Sequence, residues 1–209
     1  MLGTPAGARV AKIGITSAVD HLAAMLALLD DARSGHGMAP ASLARGALEG
    51  TAQTIWALEL DVRSERLERM VRLISAHESD RRTYLRGVVG DAEAVAATNT
   101  HAATELADRI GLSHRRLRRR PRSTEMVAAA GHFMDGRDRD SMMLERWRAA
   151  SAVAHGRVWP VQTFGGIGSS DAGRLTGQIG SDQLHLWVLT THRAIHASTE
   201  LFDRRRLPH

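Results

Sequence analysis

The most informative stretch of the 209-residue chain is SMMLERWRAASAVAHG, residues Ser141 to Gly156. Apolar side chains recur there at about the 3.6-residue period of an α-helix and form one continuous stripe. The stripe consists of Met143, Leu144, Trp147, Ala150 and Ala154. Such a stripe is stable when it is buried, so the pattern predicts a helix that packs against other helices. Gly156 follows the last turn, where glycine commonly ends a helix.

Helix-forming residues dominate the rest of the chain, and no long alternation of apolar and polar residues indicates a sheet. An apolar content of 43% is enough for a core, and the length fits one domain. We therefore predict a single all-α domain, residues 1–209, folded as a bundle of about six to seven helices around helix 141–155. The predicted helices span residues 7–31, 40–61, 64–86, 91–110, 123–134, 141–155 and 181–206. One long irregular loop, residues 156–180, precedes the last helix, and only its glycine-rich part could form a short hairpin.

Positive charge is concentrated in one segment, residues 111–123, which we name the basic connector. The net charge is +5, and the connector contributes six arginines: Arg115, Arg116, Arg118, Arg119, Arg120 and Arg122. Without these six the chain is close to neutral, so its basicity is local. The connector either binds phosphate backbones or is a solvated linker, and it contains no aromatic residue on which a base could stack.

The sequence also indicates a compartment. The chain has no cysteine, which excludes disulfides, thiolate metal sites and a cysteine nucleophile. Asp20 and His21 interrupt the apolar run that ends at Leu29, so this run does not match a signal peptide. No segment approaches the length of a membrane span. We expect a cytoplasmic protein that does not associate with a membrane.

The predicted central helix carries three polar residues on one flank of its apolar stripe. Arg148, Ser151 and His155 are separated by offsets of three and seven residues, which return to nearly the same side of a helix. They could converge on one site, where His155 would act as a general acid or base. Alternatively, His155 only hydrogen-bonds the last carbonyls and ends the helix.

A second mixed face lies on helix 40–61. Arg45, Glu49 and Trp56 are spaced four and seven residues apart, so they share one side of that helix. An exposed Arg–Glu pair would be surface decoration. A buried pair would form one wall of a polar pocket between the second, central and last helices, near Trp147 and Trp187.

The sequence motifs give little support for a metal site or a cofactor site. His192 and His196 are four residues apart with Glu200 on the same line, but the His-Glu-x-x-His pattern and a third ligand are missing. The glycines from Gly165 to Gly168 lack the strand–turn–helix context of a phosphate-binding loop. We expect no metal site and no cofactor.

The arginine at 148 and the histidine at 155 give the chain a resemblance to a known family. It resembles the HEPN superfamily of bacterial helical-bundle proteins, whose ribonuclease members carry an arginine, four to six residues, then a histidine. The order of helices over residues 40–205 is also similar. Ala149 stands where active members commonly have a polar residue.

The resemblance implies a metal-independent endoribonuclease. His155 would transfer the proton when a ribose 2′-hydroxyl attacks the adjacent phosphate, and Arg148 would stabilise the charged intermediate. Such sites usually form across a homodimer, and the basic connector would add affinity for RNA phosphates. Two other functions stay open: a non-catalytic protein that binds or regulates a partner protein, and a small-molecule enzyme or binder that uses the Arg45, Glu49 and Trp56 wall.

Overall fold

The computed structural model describes residues 5–30, 37–88, 103–136, 141–169 and 175–206. These residues form nine helices and one hairpin, so the predicted all-α class is confirmed while the predicted count of six to seven helices is too low. The helices are α1 Pro5–Asp30, α2 Ala39–Leu58, α3 Arg63–Val88, α4 at residues 103–109, α5 His114–Leu117, α6 Ser123–Asp135, α7 Met142–Ala154, α8 Trp159–Phe164 and α9 Ser181–Arg206. The two additional helices, α5 and α8, are too short to show a helical period in the sequence. Of the predicted helix 91–110, residues 91–102 lie outside the described residues.

Helix α2, rather than α7, lies at the centre of the bundle. Thirteen of its 20 residues are buried, and it packs against α1, α6, α7 and α9. Ten of its 20 residues are alanine, glycine or threonine, whose small side chains let neighbouring helices approach closely. The sequence prediction of α7 as the central helix was therefore wrong.

Helices α1 and α2 cross at two glycines. A Cβ atom on Gly14 would lie 2.6 Å from the carbonyl oxygen of Gly50, and one on Gly50 would lie equally close to the carbonyl oxygen of Gly14. Thr54 Oγ1 donates a hydrogen bond of 3.1 Å to the carbonyl of Ala11 across the same crossing. The two backbones can come this close only because neither glycine has a side chain.

The apolar stripe of α7 divides between two core clusters. Met143 and Leu144 pack with α2 and α6, whereas Ala150 belongs to a cluster around Trp187 of α9. Trp147 and Ala154 are only half-buried. Their place in the core is taken by residues that the sequence stripe did not include, Ala149 and Val153.

The buried side of α9 differs from the predicted one. The helical period of apolar residues in helix 181–206 predicts Leu184, Val188, Thr191, Ile195 and Phe202 in the core, and of these only Thr191 is buried. The buried residues are Gln183, Trp187, Thr190, Thr191, Ala194, Ser198 and Leu201. Trp187 directs this side inward because its indole N–H donates a hydrogen bond to the carbonyl of Arg146 at 3.1 Å. Leu184, Val188 and Ile195 lie half-buried beside these buried residues.

The stretch 156–180 is more ordered than the predicted irregular loop. Helix α8 leads directly into strand β1, Gly165–Ser169, which pairs antiparallel with β2, Leu175–Ile179. Ile179 at the end of β2 is buried beside Trp187. The hairpin is therefore anchored on the core by its last residue.

Helix α1 also departs from the sequence prediction. Residues Gly7–Asp30 are long and apolar enough to cross a membrane by length and composition alone. This finding differs from the prediction that no segment approaches the length of a membrane span. Core helices and signal sequences share these properties, so this finding does not place the protein at a membrane.

Candidate functional site

The C-terminal end of α7 is closed by the backbone. Gly156 adopts φ = 66°, and its N–H donates to the carbonyl of Val153 at 2.9 Å, while the N–H of Arg157 donates to Ala152 at 2.9 Å. This pair of bonds is a Schellman motif, which requires the left-handed conformation that glycine adopts without strain. The imidazole of His155 is exposed and makes no hydrogen bond to these carbonyls within the described residues. Gly156 therefore ends the helix, and the His155 ring stays available to solvent.

The three predicted catalytic residues share one side of α7. Arg148 and His155 are exposed and Ser151 is half-buried. The Ser151 carbonyl accepts the backbone N–H of His155 at 3.0 Å, as expected within one helical turn. Seven residues of helix rise about 10 Å, so Arg148 and His155 mark the two ends of a short surface strip.

A pocket of about 320 Å³ lies beside Arg148. Its aromatic wall comes from α8, where the rings of Trp159 and Phe164 meet edge to face with centroids 6.0 Å apart. Among the described residues, neither Ser151 nor His155 lines this pocket. The fold thus adds two aromatic side chains beside Arg148, which sequence analysis missed because it took their segment for an irregular loop.

The Arg45–Glu49 pair is part of a contact between α2 and α7. Glu49 Oε1 accepts a hydrogen bond from Arg45 Nε at 3.1 Å and another from Trp147 Nε1 at 3.0 Å. The Arg45 and Glu49 side chains are half-buried. The sequence paired Arg45 with Glu49 correctly, but the tryptophan donor lies 98 positions away and left no local signal.

Trp56 contacts α3, and the pocket wall of Arg45, Glu49 and Trp56 stays a prediction. The Trp56 ring is buried and faces α3, where the guanidinium carbons of Arg69 and Arg72 lie 4.8 and 5.3 Å from its centroid. These distances are typical of cation–π contacts. Seven residues of helix also place Trp56 about 10 Å along α2 from Glu49.

The basic connector is docked on α3. Leu112 and Leu117 are buried against Val71 and Ala107, and the carbonyl of Arg119 accepts a hydrogen bond from Arg72 Nε at 3.1 Å. The connector also contains the one-turn helix α5, capped by Ser113. The connector is therefore packed on the bundle through its two leucines, and both of its predicted roles stay predictions.

All six connector arginines are exposed. Arg116 pairs with Glu68 at 2.8 Å, and Arg120 makes a two-pronged pair with Asp80, each bond 2.6 Å long. The other four have no described carboxylate within ion-pair distance: Arg115, Arg118, Arg119 and Arg122. These four guanidinium groups remain available to an external anion.

A cleft of about 990 Å³ lies between α3 and the start of α6. Arg119, Arg120 and Arg122 line one side of this cleft, and His77 with Asp80 lines the other. The first turn of α6 borders the cleft without a side-chain cap. The cleft therefore combines exposed positive charge with free backbone N–H groups, although Asp80 and Glu125 offset part of that charge.

Two groups near this cleft have shifted pKa values. Burial against the cleft wall lowers the pKa of His77, even though the outer part of the residue is exposed; Asp80 opposes this shift and Arg120 adds to it. Burial likewise lowers the pKa of Arg72, which Glu125 opposes, and its Nη2 has no hydrogen-bond partner within the described residues. Burial thus disfavours positive charge on His77, which lines the cleft, and on Arg72, which lies behind it on α3.

The comparisons with known proteins gave a clear result. No family model, no curated protein and no solved structure matches this chain. Its chemistry therefore has to be inferred from its own residues. Within the described part of the chain, no group of three or more histidine or carboxylate side chains could hold a metal ion. What the described surface offers is exposed arginine for phosphate and exposed histidine, His155 among others, for proton transfer.

Proposed function

We propose that this protein is an RNA-directed, HEPN-like protein with metal-independent endoribonuclease activity at Arg148 and His155. The observation that carries the proposal is the exposed strip on α7, where both side chains lie on one side of the helix. The Schellman motif at Gly156 supports it, because the backbone satisfies the last carbonyls and leaves the imidazole unengaged.

The proposed reaction needs only groups that the chain and the RNA supply. The ribose 2′-oxygen forms a bond to the adjacent phosphorus while the bond from phosphorus to the 5′-oxygen breaks. His155 accepts the proton of the 2′-hydroxyl and returns it to the leaving 5′-oxygen, so the proton is conserved. Arg148 stabilises the negative charge that develops on the phosphoryl oxygens. The products are a 2′,3′-cyclic phosphate and a 5′-hydroxyl.

The basic connector has a separate role in this proposal. Its four unpaired arginines hold phosphates of the RNA backbone without reading the bases. The partner is therefore RNA of broad sequence, bound by a cytoplasmic homodimer.

The two alternatives differ in their support. A small-molecule enzyme that uses a wall of Arg45, Glu49 and Trp56 is disfavoured, because Trp56 is buried against two arginines of α3. One observation favours the other alternative, a non-catalytic protein that binds a partner: apolar side chains of α1 are exposed. Cleavage assays separate it from the ribonuclease.

The test is cleavage of a mixed RNA pool in the presence of EDTA by the wild type and by His155→Ala and Arg148→Ala. His192→Ala is a matched control, because His192 is exposed on α9 and away from the strip. We expect the wild type and the control to cleave and both strip variants to lose activity by about a hundredfold or more. Substrates with 2′-deoxyribose should resist every variant.

Two results would contradict the proposal. If His155→Ala cleaves as fast as the wild type, the activity comes from a contaminant or from another site. If no preparation cleaves RNA while the wild type still binds it, the chain is an RNA-binding protein without this chemistry.

A further inference from the structure

The exposed side of α1 carries large apolar residues, while its buried side carries small ones except for Met25. The buried side is formed by Gly7, Ala11, Gly14, Ala18 and Met25. Ile13, Val19 and Leu26 remain 61%, 48% and 46% exposed. A helix on the surface of a monomer usually has the opposite pattern, with its large apolar residues in the core.

The reason lies in the crossing of α1 on α2. The close approach at Gly14 and Gly50 leaves no room for a large side chain at the crossing itself. Val19 and Leu26 lie on one outer side of α1, two turns apart, with Ile13 on its flank, and exposed apolar residues of this kind mark a binding surface.

Six exposed residues of this outer side follow a regular spacing, alternately four and three residues apart. They are Lys12, Thr16, Val19, Ala23, Leu26 and Asp30. This is the spacing of the seam along which two helices pack in a coiled coil. We name these residues the α1 seam.

The charges of the α1 seam specify its partner. Lys12 and Asp30 lie at opposite ends, and the positions of the seam are symmetrical about residue 21. A second copy of α1 that runs antiparallel brings Lys12 of each chain level with Asp30 of the other. A parallel copy would place like charges side by side. The other charge near the middle, Asp20, is exposed on the flank of the seam, about 80° away from its centre line.

We propose that two copies of this chain associate through an antiparallel α1–α1 contact along the α1 seam. In this arrangement Thr16 of one copy lies level with Leu26 of the other, and Val19 of one copy lies level with Ala23 of the other. A lipid surface is less well matched, because charged Lys12, Asp20 and Asp30 all lie on the exposed side. The proposal does not depend on ribonuclease activity.

The first experiment is sedimentation of the full chain over a wide range of concentration. We expect a monomer–dimer equilibrium in the wild type, and a dissociation constant raised about tenfold by Lys12→Glu. The double variant Lys12→Glu/Asp30→Lys exchanges the charges and should restore dimerisation. Leu26→Glu should leave only monomer, whereas Val62→Glu, a control at another exposed apolar residue, should behave as the wild type. Circular dichroism verifies that every variant is folded.

The second experiment tests orientation, and the absence of native cysteine makes it direct. A mixture of Thr16→Cys and Leu26→Cys chains should form a disulfide heterodimer. Thr16→Cys alone should not, because ten residues of helix separate its two copies by about 15 Å. A monomeric wild type at every concentration, or efficient cross-linking of Thr16→Cys to itself, would overturn the proposal. Monomeric wild type that sediments with phosphatidylcholine–phosphatidylglycerol vesicles would overturn it in favour of a lipid surface.

Discussion

Glu49 on α2 accepts a hydrogen bond from the indole N–H of Trp147 on α7, with 3.0 Å between Oε1 and Nε1. Because Trp147 is held inward by this bond, the next residue of the helix, Arg148, points to solvent. The bond thus fixes the rotation of α7 that exposes the strip from Arg148 to His155.

Trp147→Phe and Glu49→Ala should each destabilise the fold, and their effects should not add. A hydrogen bond to a charged acceptor contributes about 1.5–3 kcal/mol when buried, and the half-buried position of Glu49 places its value at the lower end of that range. We expect a coupling free energy of about 1.5 kcal/mol in a double-mutant cycle measured by urea unfolding. Additive effects would mean that the bond contributes nothing to stability.

Two Gly→Ala substitutions should have opposite effects on stability. In Gly14→Ala the new Cβ would meet backbone of α2, so we expect a loss of about 1–3 kcal/mol. In Gly87→Ala the new Cβ meets no atom within 4 Å, and the better helix propensity of alanine should add about 0.5–1 kcal/mol. Urea unfolding of the two variants checks both signs. An unchanged stability in Gly14→Ala would contradict the close crossing of α1 and α2.

Arg205 joins the end of α9 to the end of α2. Its guanidinium donates to the carbonyls of Leu58 and Leu60, at 3.3 and 3.2 Å, and to Asp61 Oδ1 at 2.8 Å. Arg205→Ala leaves these acceptors without the guanidinium donor and should cost about 1–3 kcal/mol of unfolding free energy. Arg204→Ala, at an exposed neighbouring position, should cost less than about 0.5 kcal/mol. Equal losses in the two variants would rule out a special role for Arg205.

The same contact predicts a pH effect at Asp61. The hydrogen bond from Arg205, and then its positive charge, lower the pKa of Asp61 below the ordinary value of 3.8. A lowered folded-state pKa stabilises the fold above the unfolded value, and this contribution is lost as the pH falls through the folded pKa. In Asp61→Asn the free energy of unfolding should therefore depend less on pH below about 4. The difference should be small because Asp61 is exposed. A carboxyl NMR titration should show a higher Asp61 pKa in Arg205→Ala than in the wild type.

The connector arginines should control the salt dependence of RNA binding. Each lost contact with a single strand should reduce the slope of log K against log salt concentration by about 0.7. We expect this reduction for Arg122→Ser and a larger one when Arg115, Arg118 and Arg119 are changed as well. Arg204→Ser removes an exposed charge elsewhere and should leave the slope unchanged. A slope that responds equally to Arg122→Ser and Arg204→Ser would point to general charge attraction instead of a site.

Individual elements show where prediction from the sequence succeeded. The last helix was predicted at the bounds that α9 adopts, 181–206, and helix 123–134 matches α6 within one residue. Both begin at a serine with an acidic residue in the first turn, which is local information. Gly156 was likewise predicted as the end of α7, because a glycine after the last periodic residue signals that conformation.

The candidate site was predicted less completely. The sequence places Arg148, Ser151 and His155 on one side of a helix, because residue spacing alone decides that. It could not place Trp159 and Phe164 beside Arg148, or Trp147 on Glu49, because those neighbours meet only after the helices have packed. The buried side of α9 was predicted wrongly for the same reason. Hydrophobicity favoured Leu184 and Val188 as core residues, whereas packing buried Trp187 and small residues.

The sequence by itself determined the all-α class, the bounds of most helices and the local charge of the basic connector. Each depends on residues within a few positions of one another, through backbone hydrogen bonds, capping and side-chain period. The tertiary structure decided that α2 is the central helix, that Trp56 faces α3, and that the large apolar residues of α1 face outward. Those outcomes depend on which surfaces fit together, and the glycines at 14 and 50 allowed a close crossing that no local pattern specifies.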